Sequence, residues 1–268
     1  MNIRGSGNST KSRTVAFGTA VLICMLFVPA IPGRAAGPLP ADSYVEVPSS
    51  GKGPLAILFS GGDGHGPYVG EAKAYAKEGY FVVLFDSTLI YTYTESASET
   101  ANSVRSLIQR SLKKPEVQSS KAAVIGYSRG GLLALTFANR MADLVTSVVA
   151  YYPSTQMMGD PKEFLSNPRL NVPTLVLAGT NDTFMDCCLI GRARALKAAA
   201  SLPDINVPLE IYEYPNANHV FNISTYPKAY RQDYAEDAFR RSLGHIQKYS
   251  DKLTDKSGNL PEKSSEQK

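Results

Sequence analysis

Three polar residues stand where they could drive nucleophilic attack on a carbonyl. Ser128 is the centre of Gly126-Tyr127-Ser128-Arg129-Gly130, a G-x-S-x-G pattern. A serine hydroxyl is a poor nucleophile at neutral pH and needs an adjacent base. His219, within Asn216-Ala217-Asn218-His219-Val220-Phe221, suits that task. Asp182, after Gly179-Thr180-Asn181, suits the task of orienting the imidazole. A carboxylate on one ring nitrogen holds the tautomer that accepts the serine proton on the other. Asp186 competes with Asp182 but falls about one turn into the next expected helix. Of the other two histidines, His245 reads as a structural residue within the C-terminal helix, and His65 lies in a glycine-rich loop. The oxyanion formed by such an attack needs two preorganised N–H donors. Arg129, directly after the serine, supplies one. The loop Ser60-Gly61-Gly62-Asp63-Gly64-His65-Gly66 is expected to supply the other, with Gly61 preferred to Gly62. These glycines also read as a simple turn, and both roles can coexist.

By composition alone, a G-x-S-x-G arises in roughly one chain in ten of this length, so its setting must decide its meaning. The mechanics require a strand before the serine and a helix after it, joined by a sharp turn. Residues 121–125 (KAAVI) read as a buried strand, and a helix is expected over 128–141. The rest of the chain alternates in the same way. Short apolar runs at 55–59 (LAILF), 80–85 (YFVVLF), 145–152 and 172–178 (VPTLVLA) suit buried parallel strands. Residues 41–47 read as an edge strand and 207–214 as the last strand. Helices are expected over 68–78, 99–112, 161–165, 184–200 and 226–253. Strand–helix alternation implies an α/β fold, a mostly parallel central sheet with helices on both faces. The candidate residues all fall after carboxyl ends of strands, where such sheets place their chemistry.

The stretches VIGYSRGGLLAL, VLAGTNDTF and YEYPNANHVFN resemble the dienelactone hydrolase family. The likeness runs from about Leu55 to the C-terminal helix. It implies the α/β-hydrolase fold and hydrolysis of a small-molecule ester or lactone without metal or organic cofactor. Members of that family use a cysteine nucleophile where this chain has Ser128. They also carry a glutamate after the strand matching LAILF, where this loop reads SGGDGHG. Both departures argue against dienelactone itself as substrate. The loop FSGGDG together with GYS is similar to exported bacterial hydrolases that act on aminoacylated phospholipids. A non-catalytic binding protein on the same fold is the rival from another class, and the intact Ser–Asp–His order argues against it. The substrate pocket is expected to involve His65, Tyr91, Tyr93 and the segment 153–165.

With 268 residues, 43% hydrophobic and 19% charged, the chain suits one globular domain. The net charge of +4 is scattered, with no basic stripe interleaved with aromatics, so nucleic acid is not an expected partner. Arg4, Lys11 and Arg13 precede an apolar run over 15–31, and small residues follow near Gly33 and Ala35. Such a start reads as a secretory signal over 1–36. The protein is then periplasmic or secreted, without stable membrane insertion, the alternative being an N-terminal anchor. The hydrolase domain is expected over 37–255, with a disordered polar tail over 256–268. Removing Cys24 leaves the adjacent pair Cys187-Cys188, expected as buried residues on a helix rather than as a strained vicinal bridge. The spacing is not that of a zinc site.

Overall fold

The computed structural model describes residues 38–90 and 96–250. The signal segment, the polar tail, Tyr91 and Tyr93 lie outside the described residues. Among the described residues seven strands form one sheet in the order β1-β3-β2-β4-β5-β6-β7. In chain order the elements begin with β1 (Tyr44–Glu46), β2 (Gly53–Phe59), α1 (Val69–Lys77) and β3 (Phe81–Phe85). Next come α2 (Ser87–Ile90), α3 (Ala97–Leu112), β4 (Val117–Tyr127), α4 (Arg129–Thr136) and β5 (Val145–Tyr151). The last are α5 (Pro161–Ser166), β6 (Thr174–Gly179), α6 (Ile190–Ala200), β7 (Leu209–Tyr214) and α7 (Gln232–Lys248). Only β1 runs antiparallel, pairing Val45 with Val83 at the edge. The remaining pairs are parallel, as the apolar runs predict.

Side chains alternate across these strands with period two. Leu55, Ile57 and Phe59 of β2 lie on the sheet face covered by α3 and α4 and, over β6 and β7, by α6, in one core with Val104, Leu133 and Leu196. Ala56 and Leu58 face the opposite way, toward Ala72 and Tyr75 of α1 and Ala238 of α7. Helix α3 starts where Ser96 and Glu99 exchange side-chain and backbone bonds as a capping box. Helix α5 starts at Asp160, whose carboxylate accepts from the Glu163 N–H at 3.0 Å, with Pro161 in the first helical position.

Three helix expectations need correction. The helix after Ser128 ends at Thr136 rather than Met141, and a separate 3-10 turn spans Ala138–Arg140. Arg140 donates to the Leu135 and Thr136 carbonyls, which have no intrahelical partner at that end. The helix expected over 184–200 is split. Met185 and Asp186 adopt left-handed φ of 49° and 54°, which ends a short 3-10 turn and leaves α6 to start at Ile190. Cys187 and Cys188 lie in this break, joined by a disulfide, and not on a helix. The last helix begins at Gln232 rather than Tyr226. Pro227 interrupts the approach, and the Arg231 N–H bonds back to the Phe221 carbonyl at 2.8 Å.

Candidate active site

The site lies at the carboxyl ends of β4, β6 and β7. Ser128 occupies the turn between β4 and α4 with φ 52° and ψ −110°, a strained conformation for a residue with a Cβ. The glycines around it make the turn possible. A Cβ on Gly126 would stand 2.2 Å from the Gly130 carbonyl oxygen, and one on Gly130 would stand 2.2 Å from that of Phe59. Backbone bonds from Ser128 N–H to Tyr151 and from Ser154 N–H to Ser128, both 3.0 Å, tie the turn to the end of β5.

Asp182 and His219 come from two loops laced together. A Cβ on Gly179 would meet the Ala217 carbonyl oxygen at 2.3 Å, so only glycine lets the loops approach this closely. Asn181 N–H donates to Ala217 at 3.0 Å, and Thr180 Oγ1 accepts from Asn216 N–H at 2.8 Å. The side chains of Asn181 and Asn218 bond at 2.7 Å. The result is a continuous hydrogen-bonded chain. His219 Nε2 lies 3.0 Å from Ser128 Oγ, and His219 Nδ1 lies 2.7 Å from Asp182 Oδ2. The other carboxylate oxygen of Asp182 accepts from Phe184 N–H at 3.1 Å. All three residues are buried, Asp182 most deeply. Asp186 is exposed, on left-handed backbone, and it is Asp182 that bonds the histidine.

A cleft of about 780 Å³ opens over Ser128 and His219. Its walls are largely apolar, with Leu132, Met157, Phe184, Met185, Val220 and Tyr226 among them. Arg129 and Gly62 line it, as do Gln156 and Met157 of the expected 153–165 segment. Gly61 is buried and does not line the cleft, and a Cβ on it would meet the Tyr68 hydroxyl at 2.2 Å. His65 stands outside the lining residues, where its carbonyl receives the Tyr68 N–H of the next turn.

Several surrounding residues escape sequence reasoning. Phe184 stacks on His219 with ring centroids 4.7 Å apart and planes 7° apart. Tyr152 presents its edge to the same ring at 4.7 Å. Below them Tyr152 Oη donates to Asn222 Oδ1 at 2.9 Å, and Tyr127 Oη to Glu71 at 3.2 Å. Burial raises the Glu71 carboxyl to about 7, offset in part by Tyr127 and Asn222. Asp63, at the cleft mouth, is also raised by burial, with Tyr68 and His219 pulling the other way. A phenylalanine two residues after the aspartate was visible in the sequence, but nothing in its spacing indicates a ring stack.

The chain matches one protein family and shares its fold with several solved structures. The dienelactone hydrolase family model matches residues 75–250. The chain belongs to the dienelactone hydrolase family. A solved putative dienelactone hydrolase from Klebsiella pneumoniae is 19% identical, with a TM-score of 0.65 over 77% of this chain and 92% of its own. A dienelactone hydrolase-like promiscuous phosphotriesterase from metagenomic libraries is 17% identical, with a TM-score of 0.64 over 78% and 92%. A thermophilic esterase from Thermogutta terrifontis, solved with propionate bound, is 14% identical, with a TM-score of 0.54 over 77% and 88%. These likenesses share the α/β-hydrolase fold seen here. Compared with curated protein sequences, this member of the dienelactone hydrolase family has no match.

Proposed function

We propose that this hydrolase cleaves an ester- or lactone-type carbonyl through an acyl-enzyme on Ser128. The observation that carries the reading is the unbroken chain from Ser128 Oγ through His219 to Asp182 at the floor of an apolar cleft. His219 Nε2 takes the hydroxyl proton as Ser128 Oγ bonds to the carbonyl carbon. Asp182 holds the Nδ1–H and stabilises the imidazolium that results. The oxyanion is held by the Arg129 N–H at the positive end of α4 and by the Gly62 N–H. Gly62 takes that role over Gly61 because it lines the cleft. His219 then gives its proton to the departing alkoxide, and the C–O bond breaks. Water enters, loses a proton to His219 and releases the acid, restoring Ser128.

The apolar cleft favours an ester with an apolar acyl or alcohol group. A lipid-borne aminoacyl ester is the second reading, supported by the apolar side chains exposed at the mouth, Met157, Phe184 and Met185. Among the described residues no helix is long and apolar enough to cross a membrane. Export rests on the basic and apolar start of the sequence. N-terminal sequencing of native protein tests it, with a start near Ala36 expected and a cytoplasmic chain starting at Met1 as refutation. For the chemistry, a fluorophosphonate probe labels the wild type but not Ser128→Ala. Equal labelling of both would overturn the assignment. A screen of esters, lactones and aminoacyl lipids then distinguishes the substrate readings.

A further inference from the structure

Beside the Ser128–His219–Asp182 chain, the cleft holds reactive groups that hydrolysis does not use. The Cys187–Cys188 disulfide joins two neighbours in sequence, and Cys187 lines the cleft together with Ser128 and His219. Both sulfurs and a ring nitrogen of His219 lie within 4.8 Å of one another, and all three residues are buried. In regular structure, successive side chains diverge, so adjacent cysteines do not share a metal ion. Here the left-handed backbone at Met185 and Asp186 breaks the helix just before the pair, and the bridge brings the two sulfurs together. The Cys187 carbonyl is tied to the facing loop, accepting from Gln156 N–H at 3.0 Å and from Thr155 Oγ1 at 3.4 Å.

We propose that reduction of this disulfide creates a site for a thiophilic divalent cation, Zn²⁺ or Cd²⁺, held by Cys187, Cys188 and His219. In the reducing step a small dithiol gives two electrons and two protons to the bridge. The S–S bond breaks, both cysteines become thiols, and the dithiol closes to its own disulfide. The metal then displaces one proton from each thiol and binds neutral His219. Released sulfurs separate to about 3.7 Å, which is the edge of a tetrahedron with metal–sulfur bonds of about 2.3 Å. His219 is already prepared as a ligand. Asp182 occupies Nδ1 at 2.7 Å, which leaves Nε2, now bonded to Ser128 Oγ at 3.0 Å, as the nitrogen that takes a metal when that hydroxyl gives way. A carboxylate behind the imidazole is the partner that metal-binding histidines carry. Water or the Ser128 hydroxyl completes the fourth position. A bound metal removes the base and stops turnover. That consequence rests on the hydrolase reading, whereas binding does not.

The test is a Zn²⁺ titration of the folded protein against a chromogenic chelator, before and after reduction. A water-soluble phosphine serves as reductant because dithiols bind zinc themselves; it ends as the phosphine oxide, its oxygen drawn from water. One zinc per chain is expected in the reduced protein and none held against the chelator in the oxidised one. Cys187→Ser, Cys188→Ser and His219→Ala should each abolish stoichiometric binding, and Asp182→Asn should weaken it about 10- to 100-fold. Cd²⁺ added to the reduced wild type should produce a sulfur-to-metal charge-transfer band. This readout holds even if a cysteine variant fails to fold. Equal binding by oxidised and reduced protein, or binding indifferent to His219→Ala, would overturn the site. Zinc bound by the reduced protein, when the oxidised metal-free protein hydrolyses no ester, sinks the hydrolase reading alone. Hydrolysis by a reduced protein that binds no zinc sinks the site alone.

Discussion

The two faces of the sheet are built from different chemistry. On one, Ile57, Val83, Val124, Val148 and Val176 share a tyrosine-free, mostly aliphatic core with Val104, Leu133, Leu196 and the phenylalanines Phe59, Phe81, Phe85 and Phe137. On the other, Tyr68, Tyr75, Tyr127, Tyr151, Tyr152 and Tyr214 gather around Phe221. Aliphatic groups gain from burial without regard to direction. A buried tyrosine must also find a partner for its hydroxyl. Tyr151 donates to the Ala238 carbonyl at 3.1 Å, Tyr214 to Asp237 at 3.0 Å, and Tyr152 to Asn222 at 2.9 Å. The aliphatic face therefore only has to exclude water. The tyrosine face also fixes directions, and Tyr152 passes one of them to the His219 ring.

If this division holds, damage to the polar chain should remove activity and damage to the aliphatic face should remove stability. Asp182→Asn is the largest expected effect, a fall in kcat of about 10⁴-fold on any hydrolysed ester, because the wrong tautomer then faces Ser128. Asp186→Asn should leave kcat almost unchanged. A greater loss from Asp186→Asn would show that the wrong carboxylate had been chosen. On the aliphatic face, Ile57→Ala should cost about 2–5 kcal/mol in urea unfolding, through lost burial and a cavity. Its kcat per folded molecule should match the wild type. A selective loss of kcat there would erase the distinction between the faces.

Glu71 gives a finer test on the tyrosine side. Burial raises its carboxyl from 4.5 to about 7 in the folded protein. Between those values the unfolded chain has lost the proton that the folded chain keeps. Stability is therefore greatest below about pH 4.5, as far as this group is concerned, and is lost as pH rises toward 7. Glu71→Gln should remove that dependence and stabilise the protein at pH 8 relative to the wild type. The carboxyl itself is buried although part of the residue reaches the surface, so the shift from 4.5 to about 7 corresponds to a gain on the order of 3 kcal/mol. Thermal unfolding of both proteins at pH 5 and pH 8 measures the difference, and parallel pH curves would remove Glu71 from the account.

Legibility from sequence followed the same division. The parallel strands were readable because LAILF, YFVVLF and VPTLVLA are continuous apolar runs, and burial on both faces demands that composition. The convergence of Ser128, Asp182 and His219 is legible because each follows a strand, and the structure brings their side chains together. The turns after Asp182 were not readable. FMDCC carries no glycine, yet Met185 and Asp186 adopt left-handed φ, against local preference. The same break turned a helical cysteine pair into a bridged one. Tyrosine partners were equally hidden, because Tyr152 and Asn222 are 70 residues apart in the chain.

The smallest expected effect concerns Phe184. Its ring lies flat on His219 while Tyr152 supports another side of the imidazole, yet Phe184 is 52% exposed. An exposed phenylalanine gains little from burial, so its contribution should come from the stack. Aromatic pairs contribute about 0.5–1.5 kcal/mol beyond area burial, which converts to roughly 2- to 10-fold in rate. When His219 takes the serine proton, the stacked ring also faces a cation, which adds to the stabilisation. Phe184→Ala should accordingly lower kcat by that factor, and Phe184→Tyr, which keeps the ring, should restore it. Steady-state kinetics on one short-chain and one long-chain ester separate this role from simple lining of the cleft. A positioning role lowers kcat equally on both esters. A lining role raises KM for the longer ester alone, and that pattern would assign Phe184 to substrate contact instead.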